Sequence, residues 1–421
     1  MKFRHAVIVI GVILLWTQLS FSRPVTVTTG IRHFGPVTKA ISDSVRAHAV
    51  ASLRQEIYIW LKENVNVELD TTNSVKNHSL NKFTERCLAS VEEKTFTRGR
   101  TWNLSLTINE RDIRDALEAH NSHYGALLAQ NWERYQAVSQ VDPDAALINS
   151  IRALSAASLQ IGVNHRQPTI AELRRAAQGL FDRIQVKSDA MVIEGRPGSK
   201  PVKAPSAKFT IDGEPLTGLH VTAFVQNGRQ LSQMTSFIDG TLGLHDHIIP
   251  FVHNGSMLTL ALDARLYMDA PYFIRYRDMG IRLNRGQELS FMYKVPTLTG
   301  TLNFRAVSPD NSIQIPQEFS ANSHVIRYLR DSCNIQIVPA GAKSDLAIDI
   351  NLEFSRRFYK DIEDESIVMK GTAKFKGDWI AKSSDTVFEK RREMGTSVEM
   401  GPYFHEASGA LRALIRSAIH E

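Results

Sequence analysis

The chain has 421 residues, of which 43% are hydrophobic and 22% charged, and a formal net charge of +6. That composition excludes a wholly disordered chain, and at roughly 100–200 residues per domain the length implies several domains. The positive excess is small and scattered, with Arg356-Arg357 and Arg391-Arg392 as pairs rather than a stripe, so nucleic acid is not an expected partner.

The N-terminus reads as a signal peptide over residues 1–22. Met1 to His5 is a short basic start, Ala6 to Trp16 is almost wholly apolar, and Ser20-Phe21-Ser22 supplies small residues at a cleavage site. The apolar stretch is short of the roughly 20 residues a bilayer core needs. No Cys follows it to accept a lipid. The pattern therefore predicts export, with the mature chain in the periplasm or at the periphery of the outer membrane of a bacterium.

Residues 23–140 read as an N-terminal α+β domain. Val25 to Gly30 alternates as a first strand. Val37, Ile41, Val45, Ala49, Leu53, Ile57 and Leu61 recur every fourth residue and predict a helix from Val37 to Lys62. Thr71 to Ser79 is polar and loop-like, and Cys87 to Thr97 reads as weakly extended. Trp102, Leu104, Leu106 and Ile108 alternate as a strand, and Asn109 is placed to cap a helix running to Ser139.

Residues 141–194 read as a helical connector with one helix from Asp142-Pro143 and another after Gln167-Pro168-Thr169. Residues 195–298 change to period two. The dipeptides Asp212-Gly213, Asn227-Gly228, Asp239-Gly240 and Asn254-Gly255 space the strands of a small β-sandwich of six to eight strands. Residues 299–421 read as a C-terminal α+β domain. A helix is predicted over Phe319 to Arg330, strands over Asn334–Val338, Asp345–Leu352, Ile367–Phe375 and Thr386–Glu393, and a closing helix over Pro402–Ile419. The fold class expected is multidomain α+β.

The order of the long helix, a polar hinge, the turn Arg98-Gly99-Arg100 and the strand Trp102-Asn103-Leu104-Ser105 resembles the N-terminal domain of the flagellar ring protein FlgT and related small surface lipoproteins, over about residues 25–138. The C-terminal part is similar to the α+β modules of assembly factors such as CsgG. These resemblances imply a scaffold or adaptor with envelope proteins as partners and no catalytic residues to carry over. The missing lipid-accepting Cys departs from the lipoproteins.

His245-Asp246-His247 with His253 is the most metal-like cluster, because alternate residues of a strand point the same way. Solvent-facing polar residues at a strand end explain the same sequence, and no metal or other cofactor is expected. The acidic run Asp361 to Glu365 lacks the glycine of a calcium loop and reads as a solvated hairpin. No nucleophile elbow, phosphate loop or dinucleotide fingerprint occurs, so the chain leans away from being an enzyme. Cys87 and Cys333 leave two readings open, one disulfide bridge or two buried free thiols.

Three functions stand side by side. The first is a non-catalytic exported adaptor working through protein–protein contacts by strand addition or helix-in-groove binding. The second is a peptidoglycan- or glycan-binding module using Tyr267, Tyr272, Phe273, Tyr276 and Tyr293 as stacking surfaces. The third is a hydrolase built on the His245 cluster.

Overall fold

The computed structural model describes residues 24–32, 39–65, 67, 73–99, 101–163, 167–225, 230–244, 246–283, 289–311, 313–316, 323–359, 364–393 and 400–420. The protein has the expected mixed α+β fold, with eight helices and four sheets among the described residues. It divides into two compact units, Met1–Ala177 with Tyr267–Ile281, and Gln178–Leu266 with Arg282–Glu421.

In the first unit, β1 (Pro24–Arg32), β2 (Glu92–Arg98) and β3 (Thr101–Asn109) form an antiparallel sheet in the order β1-β3-β2. Alternation in β3 buries Leu104, Leu106 and Ile108 against α1 (Lys39–Val65). The four-residue repeat of α1 delivers Val45, Ala49, Leu53, Ile57 and Leu61 to that same core. Leu53, Ile57 and Leu61 are fully buried, and each such side chain contributes about 1.5–3 kcal/mol of transfer free energy.

The segment expected as a polar loop is the start of α2 (Ser74–Leu88). Asn73 caps it, accepting from the amides of Val75 and Lys76 at 3.0 and 3.1 Å. The helix escapes a periodicity reading because part of its buried face is polar. Ser79 Oγ donates to the Leu159 carbonyl at 2.5 Å, and Thr84 Oγ1 donates to the Asn81 carbonyl at 3.0 Å. Cys87 faces the apolar core, and both it and Cys333 are buried thiols outside any disulfide.

α3 (Glu110–Val138) follows β3 directly. Asn109 occupies its N-cap position, but its side chain makes no cap hydrogen bond; its amide donates instead to Asp112 Oδ2 at 3.2 Å. α4 (Pro143–Leu159) starts as expected, with Asp142 accepting from the Ala145 amide and proline in the first turn. α3 and α4 form an antiparallel pair, closed by Asn121. Its side chain donates to the Ile161 carbonyl at 2.9 Å and accepts from the Ile161 amide at 2.8 Å. At α5 (Ile170–Phe181), Thr169 and Glu172 cap each other reciprocally.

In the second unit, the stretch 184–194, read in sequence as the tail of a helical connector, supplies two strands. β4 (Ile184–Ser188) pairs with β6 (Ser206–Ile211), and β5 (Val192–Glu194) pairs with β12 (Leu289–Lys294). One sheet runs β10 (Thr241–Gly243), β6, β4, with the short β7 (Glu214–Pro215) beside β6. The other runs β5-β12-β11-β8-β9, with β8 (His220–Val225), β9 (Gln230–Thr235) and β11 (Met257–Leu262). Asp212-Gly213 and Asp239-Gly240 sit in turns as expected, whereas Asn227-Gly228 lies outside the described residues. After β11 the period-two pattern is interrupted by α6 (Arg265–Met268) and a 3₁₀ turn at Tyr276–Met279.

The C-terminal part of this unit is a sheet ordered β14-β13-β15-β16-β17. β13 (Leu298–Val307) lies parallel to β14 (Ile335–Val338) and β15 (Leu346–Tyr359), while β15, β16 (Asp364–Gly377) and β17 (Ile380–Glu393) form antiparallel pairs. The parallel β13–β14 connection is made by α7 (Ser323–Cys333), whose buried residues are Val325, Leu329 and Cys333. α8 (Met400–His420) buries Phe404, Ala407, Leu411, Leu414 and Ile415 in the same core as Ile350, Phe354 and Phe375. The predicted acidic hairpin falls mostly on residues 360–363, outside those described, and Asp364 begins β16.

Candidate functional site

β9 is the terminal strand of its sheet, bonded on one side to β8. Alternate backbone amides and carbonyls of such a strand point away from the sheet. Residues Gln230, Leu231, Ser232, Gln233 and Met234 all line a cavity of about 550 Å³. Side chains alternate between the two faces of a strand, so a cavity on one face would touch every second residue. Five in succession place this cavity along the edge.

The opposite wall is the segment Asp246–Pro250, with Ile380 and Lys382 of β17 and Ile419 of α8 completing the lining. That wall is tied down by backbone bonds. The Ile249 amide donates to the Ser199 carbonyl at 2.9 Å, and the Gly198 amide donates to the Ile249 carbonyl at 2.7 Å. Trp379 Nε1 donates to the Pro197 carbonyl at 2.9 Å, and the Arg196 guanidinium lies 4.9 Å from the Trp379 ring centre. Lys200 and Asp246 pair at 2.7 Å on the outer rim.

β9 itself is anchored from beneath. Arg265 and Asp263 are buried and paired at 2.5 Å, with Thr222 Oγ1 donating to Asp263 Oδ2 at 2.5 Å and Arg265 Nη2 reaching Thr222 Oγ1 at 3.0 Å. The Gln233 side-chain oxygen, oriented toward the guanidinium, accepts from Arg265 Nη2 at 3.0 Å. Ser232 Oγ is closed off from solvent and has no hydrogen-bond partner among the described residues.

Edge strands are usually guarded by charge. β2, Glu-Glu-Lys-Thr-Phe-Thr-Arg, and β17, with Lys382, Asp385, Glu389 and Lys390, follow that rule. β9 reads Gln-Leu-Ser-Gln-Met-Thr and carries no charge, nor do the shorter terminal strands β10 and β14; of these three, β9 is the one whose consecutive residues line the cleft. A register shift between Ala223 and Phe224 marks a bulge in the β8–β9 pair, and such bulges bend a strand where pairing must end or turn.

Of the histidines named from sequence, the two that are described are each engaged by a different partner. His245 lies outside the described residues. His247 lines the cleft, but its Nε2 is hydrogen-bonded to Tyr293 Oη at 2.7 Å, and burial lowers its pKa to about 4. His253 Nε2 donates to the Asp331 carbonyl at 2.9 Å. Among the described residues, no group of three or more His, Cys, Asp or Glu is placed to hold a metal. Of the aromatic residues, Tyr276 and Tyr293 are 1% and 0% exposed, so neither presents a ring face to solvent. Tyr272 is partly buried, edge-on to His78 at 5.7 Å.

The cleft itself was not picked out from sequence. Its one signal is an uncharged strand between two turn dipeptides, Asn227-Gly228 and Asp239-Gly240.

No family model matches the sequence. No curated protein matches it either. Among solved structures, a protein of the DUF330 family from Xanthomonas campestris is 14% identical, covering 28% of this chain and 81% of its own, with a TM-score of 0.19. An uncharacterised protein is 11% identical, covering 29% of this chain and 97% of its own, with the same TM-score of 0.19. Likeness at this level carries neither function nor overall fold to this chain.

Proposed function

We propose that this protein is an exported, non-catalytic envelope adaptor that captures an extended segment of a partner protein by strand addition to β9. The observation that carries the reading is the cleft lined by five consecutive residues of an uncharged terminal strand. An added strand takes its affinity from main-chain hydrogen bonds, each worth about 0.5–1.5 kcal/mol net, and its specificity from alternate side chains. Leu231 and Met234 on one side and Ile248, Ile380 and Ile419 on the other give apolar footing for those side chains. Export rests on the leader pattern of residues 1–22.

The test is photo-cross-linking in native cells with a photoreactive residue at Gln230 or Gln233, against the exposed helix position Glu118. The reading expects one discrete protein adduct at both strand positions, none at Glu118, and loss of the adduct when Ser232→Pro breaks the edge. Equal adducts at all three positions, or an adduct indifferent to Ser232→Pro, refute strand addition. Sequencing the N-terminus of the protein from the cell envelope tests export; an intact Met1 contradicts it.

A further inference from the structure

The two long walls of the β9 cleft are built alike. Gln230–Met234 line it from one side and Asp246–Pro250 from the other, five consecutive residues each. Both walls lie in the second unit. An extended segment touches a cavity with residue after residue only along its edge, so the space is a slot between two edges.

Main-chain groups of extended chain alternate between its two edges, which gives each wall a direction. On the β9 side, the His220 carbonyl accepts from the Asp263 amide at 3.0 Å, so His220 faces β11 and Val221 faces β9. Val221 pairs with Met234, and the Ser236 amide donates to the Leu219 carbonyl at 3.0 Å. Met234 and Ser236 thus direct their main chain to β8, and Gln233 turns its amide and carbonyl away from the sheet. Leu231, at the bulge, has no partner in the β8 register.

On the opposite wall, the Ile249 amide and carbonyl are bonded to Ser199 and Gly198. His247, Ile248 and Ile249 are 8%, 52% and 0% exposed, the alternation of extended chain. Ile248 therefore turns its amide and carbonyl to the other edge, and neither has a hydrogen-bond partner among the described residues. Within His247–Pro250 it is the one unbonded donor of the described chain. The His247 amide donates to the Leu244 carbonyl at 3.0 Å, the Ile249 amide is taken by Ser199, and Pro250 has no amide.

We propose that the segment captured at β9 is held on both of its edges, as a middle strand inserted between Gln233 and Ile248. The inference rests on the strand-addition reading of this cleft and goes beyond it in what it requires of the partner. A strand laid on one edge uses every second amide of the guest. An inserted strand uses every one, alternately toward β9 and toward Ile248. The partner segment is therefore a run of about five residues, spanning about 17 Å at about 3.4 Å each, with no proline at any of them. Ile380 and Ile419 line the slot as well, so side chains of the guest that face them are apolar.

The test uses the full chain in complex with the protein captured by a photoreactive residue at Gln230, and reads amide hydrogen exchange residue by residue. Insertion predicts that the amides of Gln233 and Ile248 both slow by at least about tenfold against the free chain. Slowing at Gln233 with Ile248 unchanged leaves strand addition standing and overturns insertion. Unchanged rates at both overturn strand addition, and insertion with it. Ile248→Pro removes the wall's donor and should speed dissociation of the captured protein by about three- to tenfold, the weight of one main-chain hydrogen bond, while Ile248→Val, which keeps the amide, should leave it within about twofold. Equal dissociation from Ile248→Pro and Ile248→Val also overturns insertion. The exchange rates of the unaltered wall decide the matter if Ile248→Pro does not fold.

Discussion

Replacing Arg265 by Met removes the guanidinium that couples Asp263, Thr222 and β9. Asp263 and Arg265 are 2% and 4% exposed, so no solvent stands ready to replace the lost partner. The change deletes the 2.5 Å contact to Asp263, the 3.0 Å contact to Thr222 and the contact to Gln233. The carboxylate left behind keeps two donors, the Thr222 hydroxyl and the Arg265 amide. Breaking a buried pair costs about 3–5 kcal/mol, and the two retained donors place this case near the lower end. For a urea slope of about 1–3 kcal/mol/M, a loss of about 3 kcal/mol moves the unfolding midpoint of the second unit down by about 1–3 M. Trp379 fluorescence, with the other tryptophans replaced by Phe, isolates that unit's transition. Removing both charges, as Asp263→Leu with Arg265→Met, should restore most of the loss, because a buried pair exchanged for apolar residues is often neutral. A midpoint shift below about 0.3 M, or a double variant as unstable as the single, would refute the reasoning.

Three further outcomes follow from the packing. Burial lowers the pKa of both His120 and His247 to about 4 from 6.5, and His120 Nδ1 has no partner for an added proton among the described residues. Both rings are neutral in the folded state, so the unfolded chain binds protons first and stability falls as pH drops from about 6.5 toward 4, by roughly 3 kcal/mol per ring. Urea midpoints across that range check it, with His120→Gln flattening the fall for the first unit and a pH-independent midpoint contradicting it. Burial pushes the Cys87 thiol up to about 12, and Cys333 is also buried. Iodoacetamide at neutral pH should leave both unmodified in the native protein and modify both in denaturant without reductant, as read by mass spectrometry; a bridge or rapid native labelling contradicts it. Gly162→Ala should destabilise the first unit by about 1–3 kcal/mol, since it places a side chain at positive φ against Val65; a neutral effect in urea unfolding contradicts the close approach.

What the sequence made legible was apolar and periodic. α1 was readable because Val45 to Leu61 repeats every fourth residue, and β3 and β15 were readable from alternation, as was the Ala373–Phe375 end of β16, whose Ile367-Val368-Met369 run is buried throughout. α2 was not, because His78 and Ser79 are buried with partners that only the fold supplies, the Met268 carbonyl for His78 and the Leu159 carbonyl for Ser79, while Thr84 turns back onto the Asn81 carbonyl of its own helix. β4 and β5 were hidden between a helix and a Pro/Gly-rich loop, their pairing partners lying later in the chain. The histidine cluster drew attention by composition, yet His247 is hydrogen-bonded to Tyr293, a partner 46 residues away. The β9 cleft left almost no trace in sequence. An edge is a property of sheet order, and the absence of charge in Gln230–Thr235 acquires meaning only once that order is known.

The central claim is that β9 receives a strand. Amide hydrogen exchange on the purified complex with the protein captured at Gln233 tests it most directly, with β2, a charged edge strand in the other unit, as the internal control. Strand addition predicts that alternate amides within Leu231–Met234 slow by at least about tenfold on complex formation, the signature of new main-chain hydrogen bonds, while those of Glu92–Arg98 keep their rates. Unchanged exchange in Leu231–Met234, with protection appearing elsewhere on the chain, would contradict it.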